Sequence, residues 1–113
     1  MTEEERKNMS SYKKRDVVLA PFSFYPGDTA KVRPAIVLSE ESGDLLLVPC
    51  SRRLPDSPSA ITIDLDDFEE GGLELFEESV VLVAHLTKMP RRKIISKKGR
   101  LSKEAFGKIV QRG

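Results

Sequence analysis

The chain has 113 residues, 39% of them hydrophobic and 33% charged, with 19 Lys and Arg against 18 Asp and Glu. That is the length of one domain with one core, and no apolar run approaches the ~20 residues a membrane-spanning helix needs. The single cysteine, Cys50, rules out an internal disulfide and a cysteine-rich zinc site. The opening MTEEERKNMSSYKKRD is too acidic and polar for a secretory signal, so a cytoplasmic location is expected.

Residues 1–12 read as a flexible charged tail, and 13–113 as a single domain. Val17 to Ala20 is a short β-branched strand. Pro21 to Lys31 (PFSFYPGDTAK) holds two prolines, a glycine and three aromatics and reads as a loop. Ala35 to Leu38 is a second strand. ESGD, Glu41 to Asp44, is a tight turn, and LLLVPC follows as a third strand, making a hairpin. Arg52 to Ser59 is a second loop. Ala60 to Leu65 alternates apolar and polar residues like a half-buried strand. Glu69 to Leu73 breaks that strand, and Ser79 to Leu86 reads as the longest and most central one. A helix closes the chain, with Ser102 as its N-cap and Ala105, Phe106, Ile109 and Val110 on one face. Five short strands and a terminal helix predict a mainly β fold, a small, strongly curved antiparallel barrel with a C-terminal α-helix.

The net charge of +1 conceals segregation: twelve acidic residues lie between Glu40 and Glu78 against two arginines, and ten basic residues follow from Lys88 against Glu104 alone. Either one face attracts a polyanion, or the two blocks pair with each other across the fold or across a dimer.

No HExxH, Walker loop, GxGxxG or GxSxG is present. The acidic run DLDDFEE at 64–70 is too crowded to cage a cation by itself, so no metal and no cofactor are expected. The polar residues that end strands carry more. Arg33 stands at the start of the second strand and Ser51 at the end of the third. Hairpin pairing makes them neighbours at the open end. A guanidinium beside a hydroxyl forms a cradle for a phosphate. The competing reading pairs Arg33 with Asp16 and assigns Ser51 to a turn.

Taken in order, KRDVVLAPFSF, KVRPAIVLS, LLLVPCS, ITIDL and ESVVLVAHLTKM resemble the MazF/PemK family of toxin endoribonucleases over roughly residues 13–112. The family's Arg-Gly-Asp opening reads Arg15-Asp16-Val17 here, without the glycine. Its Arg-Pro motif is Arg33-Pro34, and its Pro-Ile-Thr is Pro49-Cys50-Ser51, with serine for the usual threonine. His85 stands where glutamine is common. The resemblance implies an SH3-like barrel with a C-terminal helix (MazF/PemK/CcdB-like), a homodimer, and metal-independent cleavage of single-stranded RNA. It implies Arg33 and Ser51 as the catalytic pair, and a cognate antitoxin as partner. Around that pair, Phe22, Phe24, Lys31, Arg52, Arg53, His85 and Lys88 are the expected RNA-binding residues. Aromatics stack unpaired bases, and cations track phosphates. One of Phe22 and Phe24 is expected to point inward and one toward RNA. His85 is more often a packing or dimer-interface residue than a base. The alternatives are a non-catalytic RNA- or protein-binding member of the same barrel class, or a topoisomerase inhibitor.

Overall fold

The computed structural model describes residues 12–23, 27, 29–51, 60–63, 65–71 and 79–112. The tail expected over 1–12 lies outside them except for Tyr12, which packs against the core and so belongs to the domain.

Among the described residues, eight strands form one curled antiparallel sheet: β1 (Asp16–Phe22), β2 (Lys31–Glu41), β3 (Asp44–Ser51), β4 (Ala60–Ile63), β5 (Phe68–Gly71), β6 (Ser79–Leu82), β7 (Thr87–Pro90) and β8 (Ser96–Leu101). Their order is β4-β6-β3-β2-β1-β8-β5, with β7 also paired to β3. One helix, α1 (Lys103–Arg112), closes the described chain. The expected small, curved, mainly β architecture with a C-terminal helix is the one found.

The three central strands are buried on both faces, which explains why VVLA, AIVL and LLLV are continuous apolar runs. Alternate side chains go to two cores. Val18, Ala20, Phe22, Ala35, Val37, Leu45 and Leu47 share one with Met89 and Ile94. Val17, Ile36, Val48 and Cys50 share the other with Ile63, Val81, Leu101 and Ile109 of the helix. Each fully buried aliphatic contributes roughly 1.5–3 kcal/mol.

The β2–β3 turn has two central residues, Ser42 (φ 46°) and Gly43 (φ 88°). Two positive φ values in a two-residue hairpin loop match the right-handed strand twist. Proline offers no N–H to a ladder. The β2–β3 ladder runs from Glu41–Asp44 to Ala35–Pro49 and goes no further. Pro34 lies inside β2 opposite Leu19 of β1. The second strand therefore begins at Lys31, not Ala35.

Two expectations need correction, and one strand is additional to those expected. Ser79 to Leu86 is not one strand. Cys50 pairs with Val81 and Leu47 with Thr87, so the longer segment must shed extra residues. It does so in a 3₁₀ turn at Val83–His85. The polar stretch SKKGRL is a strand, β8, because its cations find carboxylates on neighbouring strands. Val110 is 51% exposed rather than on the buried helix face. Ser102 does cap α1: its Oγ accepts the Ala105 N–H at 3.2 Å.

Arg15 has φ 80°, a conformation that glycine adopts without strain and other residues adopt at a cost. It stands at the place of the glycine missing from the resembling motif. Its guanidinium holds the bend by donating to the Leu101 carbonyl and to Glu69, each at 3.2 Å.

Candidate functional site

Arg33 lies in β2 directly opposite Ala20. It is half-buried and engaged within the fold. Asp16, its suggested structural partner, is at the far end of β1, about 13 Å along the strand from Ala20. There it is 1% exposed. It receives Lys97 at 3.4 Å, Arg100 at 3.2 Å and the Lys13 backbone N–H at 2.8 Å. The ion pair that competed with the cradle is thus made with other cations.

Two residues beyond the last β2–β3 pair, Ala35–Pro49, the same register sets position 51 across from position 33. There β3 departs from β2 and joins β6, with Ser51 opposite Val80. The two strands part at this point and leave a mouth between them. Alternation places position 33 on the face of Ala35 and Val37, which line one core. Lys31, exposed, precedes Arg33 by two residues in β2 and pairs with Phe22.

Other expected RNA contacts divide. Phe22 is 5% exposed and belongs to the core, so its ring is not a stacking platform: strand β1 extends to include it, and alternation turns it inward. Phe24, Arg52 and Arg53 lie outside the described residues. His85 is exposed, but at the end of the 3₁₀ turn rather than on a strand face with Val81 and Val83. Lys88 pairs with Leu46, about 17 Å along β3 from Ser51. Its Nζ lies 3.9 Å from Glu41 and 4.0 Å from Asp44. Lys88 therefore sits near the hairpin turn, away from Arg33.

The segregated charges largely meet each other. Arg91 binds Glu40 at 2.6 Å, Lys97 binds Glu70 at 3.2 Å and Arg15 binds Glu69 at 3.2 Å. Sequence order separated these charges, and antiparallel pairing reunites them.

A cavity of about 310 Å³ is lined by Pro21, Phe22, Ser23, His85, Leu86, Thr87 and Met89. Nothing in the sequence pattern marks it, because its walls come from the end of β1 and from the extra residues shed between β6 and β7. Cys50, one residue before Ser51, is fully buried, and burial pushes its thiol up to about 12. It is a protonated, unreactive core residue at neutral pH. Among the described residues no helix is long and apolar enough to cross a membrane.

Fold and site together define a small curled β-barrel with a terminal helix and an arginine at the mouth where two central strands part. The PemK-like, MazF-like toxin family of type II toxin–antitoxin systems matches residues 13–112, and the chain belongs to that family. Comparison with curated proteins gave no match. Among solved structures, the fold is similar to Mycobacterium tuberculosis toxin MazF-mt6, with TM-score 0.65 and 14% identity over 87% of this chain and 91% of that one. It is similar to a MazE–MazF structure from Deinococcus radiodurans, with TM-score 0.65 and 19% identity over 88% and 90%. A mycobacterial endoribonuclease in complex with its cognate antitoxin gives TM-score 0.69 and 11% identity over 90% of each chain.

Proposed function

We propose that this toxin is a metal-independent, sequence-selective endoribonuclease that cleaves single-stranded RNA. The observation that supports the reading is the β2–β3 ladder, whose last pair, Ala35–Pro49, stands two residues from Arg33 on one strand and from Ser51 on the other, where β3 turns to β6. RNA brings its own nucleophile, the 2′-hydroxyl beside each phosphodiester. The 2′-oxygen bonds to phosphorus as its proton leaves. The bond to the 5′-oxygen breaks, and that oxygen takes up a proton. The products are a 2′,3′-cyclic phosphate and a 5′-hydroxyl end. Arg33, charged at all working pH values, stabilises the negative charge that gathers on the phosphoryl oxygens in the transition state. Ser51 donates a hydrogen bond that fixes the phosphate. Lys31 lies on the approach, where it attracts the backbone.

A cognate antitoxin holds the enzyme inactive, and the chain works as a cytoplasmic homodimer. Support for the partner comes from the family itself and from relatives of the same fold solved with MazE or a cognate antitoxin. An acidic antitoxin segment laid over Arg33 would mimic the charge of the substrate.

The test is incubation of the purified chain with a long single-stranded RNA in EDTA, followed by mapping of the new 5′ ends. Discrete cuts are expected. Arg33→Ala should lower the rate by roughly 10²–10³, the usual cost of one transition-state donor, with its melting transition retained. RNA retained without new ends would favour the binding module instead, and an Arg33→Ala variant as fast as wild type would overturn the assignment.

A further inference from the structure

We propose that Lys13, Lys14, Arg92 and Lys93 form a second phosphate-binding strip, outside the mouth, that holds the RNA flanking the cut. The inference rests on the nuclease reading for the identity of the polyanion, and on charge and placement for the rest. Charge pairing leaves these four cations over. Among the described residues, the carboxylates around them are taken by others. Arg91 holds Glu40 at 2.6 Å, and Lys88 lies 3.9 Å from Glu41 and 4.0 Å from Asp44. Asp16 receives Lys97 at 3.4 Å and Arg100 at 3.2 Å. Lys13, Lys14, Arg92 and Lys93 are exposed, and their side chains enter none of these pairs.

Two fixed turns carry the four charges. Lys13 and Lys14 stand in the turn that opens β1. There the Asp16 N–H donates to the Lys13 carbonyl at 3.0 Å, and the Lys13 N–H donates to Asp16 Oδ2 at 2.8 Å. The Arg15 N–H ties the same turn to β2 by donating to the Val37 carbonyl at 2.9 Å. Arg92 and Lys93 stand in the 3₁₀ turn Arg91–Lys93. The Arg91 N–H donates to the Gly43 carbonyl at 3.2 Å, and the Ile94 N–H to the Arg91 carbonyl at 3.1 Å. Tyr12 and Ile94, each next to one cation pair, pack into the same core. The backbone under the charges is thus set before RNA arrives, and binding has only side chains to order.

The strip leads toward the mouth. Its second turn leaves the β2–β3 hairpin at Arg91, and the chain reaches β1 at Ile95, whose N–H donates to the Leu19 carbonyl at 2.8 Å. Leu19 adjoins Ala20, the partner of Arg33. Two inter-strand spacings put Ile95 about 10 Å from Arg33. Lys93 stands two residues before Ile95. A strand of RNA seated at Arg33 can therefore run on to Lys93 and Arg92, and cationic grooves track single strands over about 4–16 nucleotides. Contacts of this kind grip ground state and transition state alike, so they act on KM rather than kcat.

The experiment uses the full-length protein and two RNAs. One just spans a mapped cut site; the other carries the same site with flanks of about ten nucleotides, within the usual range of single-strand sites. A long 2′-O-methyl RNA, which lacks the nucleophile, reports binding by fluorescence anisotropy across a salt series. The quadruple variant Lys13→Gln/Lys14→Gln/Arg92→Gln/Lys93→Gln should raise KM for the long RNA about tenfold. Its kcat, and its cleavage of the short RNA, should stay at the wild-type level. Its slope of log affinity against log salt should be shallower by about 3, at roughly 0.7 per lost phosphate contact. Each of the two double variants should give about half of that change. Lys103→Gln/Lys108→Gln, on the helix, is the control for net charge and should keep the wild-type slope. Melting temperatures are recorded for each variant. Unchanged KM and slope in the quadruple variant would overturn the strip and leave the nuclease standing. An equal loss of slope in the helix variant would overturn the strip as well, since net charge alone would then account for it. The expected loss of slope in a protein that never cuts would support the strip and overturn the nuclease. Neither cutting nor binding would overturn both.

Discussion

Gly71→Ala is the substitution whose cost the structure fixes best, provided that Gly43→Ala is measured beside it. Both glycines have positive φ, 67° and 88°, and an L-residue there costs about 1–2 kcal/mol. They differ in surroundings. A Cβ on Gly43 would meet nothing within 4 Å, whereas one on Gly71 would lie 2.5 Å from the Lys98 carbonyl oxygen and 2.8 Å from the Gly99 Cα. Those atoms are backbone of β8, which is paired on its other side to β1, so β8 cannot retreat without opening a second ladder. Overpacking of this kind adds about 1–3 kcal/mol. The expected losses are about 1 kcal/mol for Gly43→Ala and about 2–5 kcal/mol for Gly71→Ala. In a domain of this size each kcal/mol corresponds to roughly 4–8 °C in melting temperature. Urea unfolding followed by circular dichroism, with thermal melts, measures both. Equal costs for the two variants would refute the close approach of β5 to β8.

Other consequences follow from the same geometry. The Cys50 thiol, raised by burial from 9.0 to about 12, keeps its proton in the folded state over a range where the unfolded chain releases it. Its contribution is complete below pH 9 and is lost as pH rises toward 12, by up to about 1.4 kcal/mol per pH unit. Cys50→Ala, compared with wild type by urea unfolding between pH 8 and 10.5, should show a shallower decline, and parallel curves would refute this origin. Asp16→Asn removes the carboxylate shared by Lys97 and Arg100. The loss should be about 2 kcal/mol by denaturant unfolding, below the roughly 3–5 kcal/mol of a broken buried pair, because both cations keep some access to water. Gly107→Ala is expected to raise the melting temperature by a few degrees, since the added Cβ meets nothing within 4 Å and alanine favours a helix over glycine by about 1 kcal/mol.

Local patterns in the sequence were sufficient for those features that depend only on near neighbours. The ESGD turn, the two apolar strands flanking it and the Ser102 cap of the helix are each specified within a few residues. The hairpin pairing of β2 with β3 about that turn is legible too, but a bulge between Val37 and Ser39 shifts the register by one residue before the strands part. Long-range contacts decided the rest. The second strand reads as starting at Ala35, yet it runs back through Pro34 to Lys31 because β1 pairs with it there. SKKGRL has no apolar alternation, yet is a strand because Asp16 and Glu70 lie across from its lysine and arginine. SVVLVAHL reads as one strand, yet must bend at His85 because β3 offers it too few partners. Phe22 reads as a loop aromatic, yet the extra length of β1 turns it into the core and makes it the wall of a cavity. Short-range chemistry sets where the chain turns; which residues end up facing a ligand depends on register and on competition among strands, which no segment carries alone.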